Sequence, residues 1–439
     1  MSTTKRIGGA QRPVWWIGRL SVLVAVVMVL SSVLGSHLTS AKQLHSATNK
    51  GGVIKIGVLT TLAGPFAVPG QDGYRGVQIA FKQVGYKVAG KTIKLIEEGT
   101  DASVGLARDK VRKLVEQDGV DFVIGPLSGD EGLYAVKPYA KLHPNVTFIN
   151  GTSAAEDTTL RSPSKNFFRF TTDGVQWMAG LGNYAYQTKH YHRMALVAED
   201  YSFPYSQVAG FMTEFCRNGG HMVQKNWVPI GTHDYSSVVT KIPSNVDAIY
   251  VALGGSDAVN FLKAYDQFGG KAPIVGGSIT VDQTVLGTKG ALQKRLIGVP
   301  SAGPTADNNP SPAWQAFVRY YKTIPGHLPL PGLFVTGYYY EARAAILALQ
   351  KVHGDLSGGQ KKFQNALAHL RFSGPTGAVY LDHNRNAVAD MYLTEVVKQG
   401  NSLYNKLIKV THNVNQTLGV PEAQFLKRGP LSRNNPSCP

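Results

Sequence analysis

The sequence is poor in cysteine, which limits how the chain can be cross-linked. Its two cysteines, Cys216 and Cys438, lie far apart, and the second is near the C-terminus. Small secreted domains that depend on disulfides carry several closely spaced cysteines, so we predict no disulfide framework here. Cys216 falls in a helical pattern, where a cysteine packs as a small apolar side chain.

Motifs that carry catalysis or hold cofactors are also missing. No H-E-x-x-H zinc motif occurs, and the serine of GPLSG (125–129) has the wrong spacing for a nucleophile elbow. Residues 276–278 (GGS) lack the Lys-Ser/Thr continuation of a phosphate-binding loop. His190 and His192 flank a tyrosine near a loop, and we interpret them as solvated rather than metal-bound. We therefore predict no catalytic residue, no metal and no cofactor; an enzyme stays an alternative that turnover of a bound solute would favour.

Long apolar runs are scarce, and residues 20–34 form the single one long enough to consider as a membrane segment. Four basic residues precede this run: Lys5, Arg6, Arg12 and Arg19. A basic start, an apolar stretch and small residues ending near Ala41 are typical of a secretory signal peptide. We predict a signal peptide at residues 1–41 and a mature protein in the periplasm or another extracytoplasmic space. A retained anchor is the alternative, although the run has 15 residues where a span needs about 20.

Acidic residues are few relative to basic ones. The formal net charge is +17, and removal of the four basic residues within residues 1–41 leaves +13. A nucleic-acid interface needs clustered basic residues with interleaved aromatics, whereas here they are scattered along helical patterns, as at Lys110, Arg112 and Lys113. We therefore predict no nucleic-acid partner. The charge is compatible with an anionic solute, an anionic membrane surface or an acidic habitat.

Apolar strand-like runs alternate with amphipathic helical patterns along the rest of the chain. The first series has predicted strands at residues 53–59, 92–96, 120–124 and 146–149. The second series has predicted strands at residues 194–198, 221–228, 248–253 and 273–275. Long helices at 313–322 and 334–352 and strands at 378–381 and 391–397 follow. Because strands alternate with helices, we predict an α/β protein with two doubly wound parallel-sheet lobes.

Two loops that follow predicted strands of the first series carry small polar residues. Residues 125–129 (GPLSG) follow the third strand, and residues 150–154 (NGTSA) follow the fourth. Ligands of open parallel sheets bind beyond the carboxyl ends of the strands, and these loops offer hydroxyls and amide N–H groups at helix starts. They suit a carboxylate or another hydrogen-bond acceptor. Ordinary helix capping by serine and threonine is the alternative.

Four motifs, in this order and spacing, resemble one protein family. They are GPFA with a later glycine (64–67 and Gly70), VDFVIGP (120–126), DY (200–201) and FSGPTG (372–377). The chain from about residue 53 to 410 is similar to the periplasmic binding proteins of ABC transporters that take branched-chain amino acids. The resemblance implies a type I periplasmic-binding fold whose two lobes are joined by a three-crossover hinge.

The resemblance also implies the boundaries of the lobes. The crossovers are expected near Thr171, Gly303 and Ser373. The N-terminal lobe then comprises residues 53–172 and 303–372, and the C-terminal lobe comprises residues 173–302 and 373–412. We predict a disordered tail at residues 413–439, which are rich in Asn, Pro and Ser.

The ligand contacts of the family can be carried over to matching positions. These are Phe66 as a cover, hydroxyls and amides from the two loops, an aromatic contact from the second lobe, and the loops after two later strands. The residues are Phe66, Ser128, Gly129, Thr152, Ser153, Ala154, Tyr201, Leu253, Gly254, Gly255 and Ser278. The expected function is capture of a small amino acid or related carboxylate or amide by lobe closure, and delivery by a monomer to a membrane permease.

One position departs from the family pattern. Amino-acid binders of this family place a carboxylate after the strand at 273–275 to pair with the ligand ammonium, whereas Ser278 stands there in this chain. An unpaired buried ammonium costs several kcal/mol. Asp282 is a substitute, although its ordinary role would be to start the next helix. A binder of aromatic acids or of urea-like solutes and amides therefore stays open, as does a ligand-sensing receptor module.

Overall fold

The structure is a computed structural model that describes residues 52–288 and 293–438. The signal peptide predicted at residues 1–41 lies outside the described residues. Within the described ranges, no helix is both long enough and apolar enough to cross a membrane. Strands and helices alternate through most of this part of the chain, as the sequence pattern predicts.

The first sheet has six strands in the order β2-β3-β1-β4-β5-β6. Their bounds are Val53–Thr61 (β1), Lys87–Val88 (β2), Lys91–Thr100 (β3), Phe122–Ile124 (β4), Thr147–Ile149 (β5) and Phe167–Phe168 (β6). Neighbouring strands run parallel except for β2, which pairs antiparallel with β3. The side chains of Ile54, Ile56 and Val58 in the central strand are fully buried, because helices cover both faces of such a sheet.

Helices from two distant parts of the chain cover this sheet. They are α1 (Ala67–Gln83), α2 (Val104–Arg112), α3 (Lys137–Leu142), α11 (Pro312–Tyr321), α12 (Leu333–Lys351) and α13 (Lys361–Ala368). A Cβ atom at Gly76 of α1 would lie 2.2 Å from the Val335 carbonyl oxygen of α12, so these two helices pack backbone against backbone. The Tyr321 hydroxyl donates a 2.5 Å hydrogen bond to the buried Asp72 carboxyl of α1. The first lobe is therefore completed by late segments of the chain.

The second lobe contains a parallel sheet of four strands in the order β10-β9-β7-β8. The strands are Arg193–Glu199 (β7), His221–Val228 (β8), Ala248–Ala252 (β9) and Ile274–Gly276 (β10). Its helices are α4 (Gly174–Trp177), α5 (Leu181–Gln187), α6 (Ser202–Phe215), α7 (Ser236–Thr240), α8 (Gly255–Gln267), α9 (Gln283–Leu286) and α10 (Gln293–Leu296). The predicted strand at residues 221–228 is confirmed in full.

A third sheet is antiparallel and contains the last strands of the chain. It comprises β11 (Pro300–Gly303), β12 (Arg371–Gly374), β13 (Gly377–Leu381), β14 (Ala387–Gln399) and β15 (Ser402–Val414). Strands β14 and β15 form a long hairpin with two irregularities in its register. The sequence pattern predicted β13 and most of β14, whereas β11, β12 and β15 were not predicted.

The chain passes between the first sheet and the rest of the molecule three times, as the predicted fold class requires. It leaves after β6, returns between β11 and α11, and leaves again before β12. Arg169, fully buried after β6, donates hydrogen bonds to the Asn386 side chain (2.6 Å) and to the Ala155 carbonyl (2.7 Å). Glu341 of α12 accepts hydrogen bonds from the amides of Phe170 (3.0 Å) and Thr171 (2.7 Å). Buried ionisable groups thus anchor the first passage to residues on both sides.

The predicted disordered tail at residues 413–439 is wrong for the described part of that segment. Strand β15 extends to Val414, a short helix α14 (Glu422–Leu426) follows, and Phe425 is buried against Leu160 and Val175. The expectation of an unpaired Cys216 is also wrong, because it forms a disulfide with Cys438 at a Cα–Cα distance of 5.4 Å. Composition alone suggested disorder, whereas the segment is held by a cross-link and by specific contacts that local composition does not encode.

Candidate functional site

The carboxyl ends of the parallel strands in the two lobes meet along a cleft. The rings of Phe66, from the loop after β1, and Tyr201, from the loop after β7, have centroids 6.2 Å apart. A Cβ atom at Gly255 would lie 2.1 Å from the Pro65 carbonyl oxygen, and one at Gly254 would lie 3.1 Å from the Phe66 ring. A side chain at Gly255 would therefore push the lobes apart here, whereas one at Gly254 would need only a small shift of the Phe66 ring.

A second contact between the lobes involves the loop after β4. A Cβ atom at Gly129 would lie 2.8 Å from the Phe203 Cβ atom at the start of α6. The Ser202 amide donates a 3.0 Å hydrogen bond to the Asp130 carboxylate. The lobes therefore touch through predicted site loops.

The predicted cradle places three hydroxyl groups on the first lobe. Ser128, Thr152 and Ser153 are all buried, and within the described ranges none of their hydroxyl oxygens has a hydrogen-bond partner. Most buried polar groups in proteins are paired, because an unpaired one costs about 1–3 kcal/mol. Their hydrogen-bonding capacity is therefore unused; Thr152 also lines a cavity, whereas the Ser153 hydroxyl packs against Gly132, 2.0 Å from the position of a Cβ atom there.

The amide groups of the same loops are less available than the sequence suggested. The amides of Thr152 and Ser153 donate to the Pro126 carbonyl at 3.1 and 3.2 Å. The Ser128 amide donates to the Glu131 carboxylate at 3.0 Å. The expectation that these loops offer unpaired amides to a ligand is thus wrong for these three residues, and the hydroxyls carry the polar character of the cradle.

Glu131 is a buried carboxyl beneath the cradle that sequence reasoning missed. Besides the Ser128 amide, the hydroxyls of Thr100 and Thr61 lie near it, and these two hydroxyls are 3.2 Å from each other. Burial raises the pKa of Glu131 to about 7, and hydrogen bonds from Thr100 and Ser128 offset part of the rise. Glu131 thus connects the loop after β4 to the ends of β1 and β3. An acidic residue three positions after a loop serine was the available signal.

Four buried aromatic side chains make successive ring contacts that join the two lobes. The Tyr201 ring lies 6.2 Å from the Phe203 ring, and the Phe203 ring lies 5.3 Å from the Trp177 indole. We name Phe66, Tyr201, Phe203 and Trp177 the aromatic wall. It extends from the first lobe to the hinge. Trp177 lines a cavity of about 40 Å³ at the hinge, together with Thr152. Phe203 and Trp177 were not among the predicted contacts, since neither lies in a motif of the resemblance.

Comparisons with known proteins agree with this geometry. A family model described as periplasmic binding protein matches residues 53–401. The chain belongs to this family. Leu/Ile/Val-binding protein homolog 6 of Brucella melitensis is 25% identical over 362 residues, which cover 81% of this chain and 91% of that protein. The match to a periplasmic binding protein therefore includes both lobes.

Solved structures of other binding proteins share the fold. An ABC transporter substrate-binding protein from Sphaerobacter thermophilus has 27% identity and a TM-score of 0.74, covering 83% of this chain and 99% of that one. A Rhodopseudomonas palustris solute-binding protein in complex with 4-hydroxybenzoate has 22% identity and a TM-score of 0.76, with coverage of 84% and 99%. A branched-chain amino acid transporter substrate-binding protein from Streptococcus pneumoniae, in complex with isoleucine, has 20% identity and a TM-score of 0.69, with coverage of 81% and 99%.

Several predicted contacts of this binding protein are engaged within the protein itself. The Ser278 hydroxyl accepts a 2.5 Å hydrogen bond from the Gln207 side chain. The Leu253 amide and carbonyl both bond to the Thr280 hydroxyl, at 3.2 and 2.9 Å. The Ala154 carbonyl accepts from the Gly174 amide at 2.8 Å. These groups stabilise the loops of the cleft and have less capacity left for a ligand than the cradle hydroxyls.

The acid expected at position 278 has no simple replacement. Asp282 caps α9 by accepting from the Thr284 amide (3.0 Å), and it also accepts from the Leu333 amide (2.8 Å), so its predicted role as a helix start is confirmed. Glu199, immediately before the Asp200-Tyr201 pair, accepts from the Gly254 amide at 3.0 Å, and its second oxygen has no partner in the described structure. Burial raises the pKa of Glu199 well above its ordinary value.

Proposed function

We propose that this protein is an extracytoplasmic solute-binding protein that captures a small carboxylate with an apolar or aromatic body between its two lobes. The observation that carries the proposal is the set of three buried hydroxyl oxygens without partners at Ser128, Thr152 and Ser153. A carboxylate accepts hydrogen bonds from such hydroxyls and relieves the cost of burying them unpaired. No catalytic step is part of the proposal.

The aromatic wall supports an apolar or aromatic ligand body. Aromatic rings in offset or edge-to-face arrangements gain about 0.5–1.5 kcal/mol beyond the burial of their area. A ligand whose acid group meets the cradle would have its body beside Phe66 and Tyr201, whose rings lie on opposite sides of the cleft. Binding then favours the closed arrangement, because the contact with Tyr201 forms only when the lobes meet.

A branched-chain amino acid is the second candidate ligand. It is favoured by Glu199, whose second oxygen has no partner in the described structure and could accept a hydrogen bond from an ammonium group on the second-lobe side. It is disfavoured at position 278, where the serine hydroxyl is already bonded to Gln207. The relatives include proteins named for Leu/Ile/Val binding and proteins in complex with benzoates, so both classes belong in one screen.

The closed, loaded protein is proposed to deliver its ligand to the permease of an ABC transporter. Export through the predicted signal peptide would place it in the periplasm or an equivalent space, where it acts as a monomer. Recovery of a signalling partner instead of a permease in a pull-down would favour a sensor.

A calorimetric screen of the mature protein tests the proposal. The panel comprises benzoate, 4-hydroxybenzoate, L-leucine, L-isoleucine, benzamide and urea. We expect micromolar or tighter binding of at least one acid and weaker binding of the matched amide, because benzamide lacks the charge that the hydroxyls stabilise. Equal affinity for benzoate and benzamide, or binding of urea alone, would contradict the carboxylate proposal.

A further inference from the structure

The last residues of the chain lie across the second lobe near the mouth of the cleft. We name residues 427–438 the C-terminal strap. Its end is fixed by the disulfide between Cys438 and Cys216 of the turn after α6. Along β8, the Lys225 ammonium donates to the Pro436 carbonyl at 2.7 Å, and the Trp227 indole donates to the Arg433 carbonyl at 3.2 Å. The strap is therefore held covalently at one end and by backbone contacts along its length.

Arg433 of the strap binds the carboxylate of Asp200 through two nitrogens. Its Nε atom donates to Asp200 Oδ1 at 2.7 Å, and one terminal nitrogen donates to Oδ2. The Tyr205 hydroxyl also donates to Asp200 Oδ1. Paired, parallel hydrogen bonds between a guanidinium and a carboxylate fix orientation as well as distance. Arg433 thus holds the Asp200 side chain from outside the lobe.

Asp200 begins the segment of the second lobe that meets the first lobe. The next residue, Tyr201, contacts the Phe66 ring, and Ser202 donates its amide to Asp130. Helix α6 begins at Ser202, and no side chain caps its start at Tyr201. The orientation of this segment therefore depends on the Asp200 amide, which bonds to the Val228 carbonyl at 2.8 Å, and on the Asp200 carboxylate, which the strap holds.

We propose that Arg433 is a positioning residue for ligand binding, which acts through Asp200 to hold Tyr201 and Ser202 where the two lobes meet. The disulfide keeps the strap in place for this role. The effect on ligand affinity rests on the proposed function, whereas the hold on the loop does not. The disulfide-linked strap thereby contributes to ligand binding through the loop that it positions.

Hydrogen exchange tests the hold on the loop without any ligand. In Arg433→Ala we expect the amides of residues 200–203, 205 and 206 to exchange about threefold faster or more, because the loop opens more often. Arg433→Lys keeps the charge but loses the paired geometry, so its rate should fall between wild type and Arg433→Ala. The matched control is Arg428→Ala, which removes a strap arginine bonded to Thr213 instead of Asp200 and should leave the rate unchanged.

Titration of the same variants with the tightest-binding acid of the benzoate and leucine panel measures the consequence. We expect Arg433→Ala to weaken affinity by about twofold to fivefold, because the Arg433 side chain of this ion pair is solvent-exposed. A cycle with Asp200→Asn should be non-additive, with Arg433→Ala costing little once Asp200 is neutral. Unchanged exchange and affinity in Arg433→Ala, an equal loss in Arg428→Ala, or an additive cycle would each overturn the proposal. If the wild type binds no acid, the proposed function fails, and the exchange rates still decide whether Arg433 holds the loop.

Discussion

The two faces of the cleft differ in how much of their polar chemistry is already used. On the first lobe, Ser128 and Thr152 present hydroxyl oxygens that have no partner among the described residues. On the second lobe, the Ser278 hydroxyl and the Leu253 backbone are bonded within the lobe, and Tyr201 offers mainly an aromatic face. The predicted polar contacts without partners therefore lie on the first lobe, while the second lobe supplies apolar cover and further unpartnered oxygens at Glu199, Ser202 and Gln207 in the described structure. A ligand can be recognised by the open form and then enclosed.

The largest expected effect concerns the polar face. Ser128→Ala combined with Thr152→Ala should weaken binding of the best acid by a few kcal/mol, because a hydrogen bond to a charged group contributes about 1.5–3 kcal/mol. Thr147→Ala is the matched control, since its buried hydroxyl also lacks a partner in the described structure but lies at the opposite end of β5. Calorimetry should find the control close to wild type. An equal loss of ligand affinity in the double variant and in Thr147→Ala would show that the cradle hydroxyls do not contact the ligand specifically.

Removal of the cross-link tests the second lobe separately. Cys216→Ser with Cys438→Ser should lower the free energy of unfolding by about 2–5 kcal/mol, because the disulfide closes a long loop in the unfolded chain. Thermal unfolding measures the loss, and hydrogen exchange should locate faster opening in β8 and α6 rather than in the first sheet. Unfolding at the wild-type temperature, or faster exchange confined to the first lobe, would contradict this assignment.

The buried carboxyl beneath the cradle predicts a pH effect. Burial raises the pKa of Glu131 from 4.5 to about 7. The folded state therefore favours the neutral carboxyl more strongly than the unfolded chain does. Its contribution is fully present below pH 4.5 and is lost as the pH rises through 7, an expected change of about 1–3 kcal/mol.

Glu131→Gln keeps the shape of the side chain without the titration. Melting temperatures measured from pH 4.5 to pH 8 should fall less steeply for this variant than for wild type. Parallel profiles would show that Glu131 does not titrate in this range.

The smallest expected effect concerns the aromatic face. Tyr201→Phe keeps the ring against Phe66 and should change affinity little, whereas Tyr201→Ala should weaken binding by about 0.5–1.5 kcal/mol or more through lost ring contact. Calorimetric titration of the pair separates the ring from the hydroxyl. A clear loss of affinity in Tyr201→Phe would show that the Tyr201 hydroxyl contributes to binding, and it would assign polar recognition to the second lobe as well.

Much of the fold could be predicted from local patterns. The alternation of apolar strands and amphipathic helices predicted β1, β8 and α12, because burial on one or both faces determines where apolar residues fall. Strand β15 was not predicted, since lysines such as Lys406 and Lys409 interrupt its apolar pattern on an edge that is exposed. Local composition also failed for the tail, because its order depends on contacts with residues more than 200 positions away, as between Arg433 and Asp200.

The site was predictable only in part for the same reason. The motifs identify which loops reach the cleft, and Phe66, predicted as a cover of the ligand, lies against Tyr201 of the second lobe in the structure. They do not indicate which groups are already bonded, as Ser278 is to Gln207, or which buried side chains approach from elsewhere, as Trp177 and Glu131 do. Such properties arise from packing between distant segments. The individual ligand contacts stay predictions.

A crystal structure with the tightest-binding acid of the panel tests the central claim most directly. The predicted result is a carboxylate within hydrogen-bonding distance of the Ser128 and Thr152 hydroxyls, with the ligand body beside the Phe66 and Tyr201 rings. A carboxylate bound instead to Gln207 and Ser278, or a ligand outside the cleft, would contradict the division of roles between the two lobes.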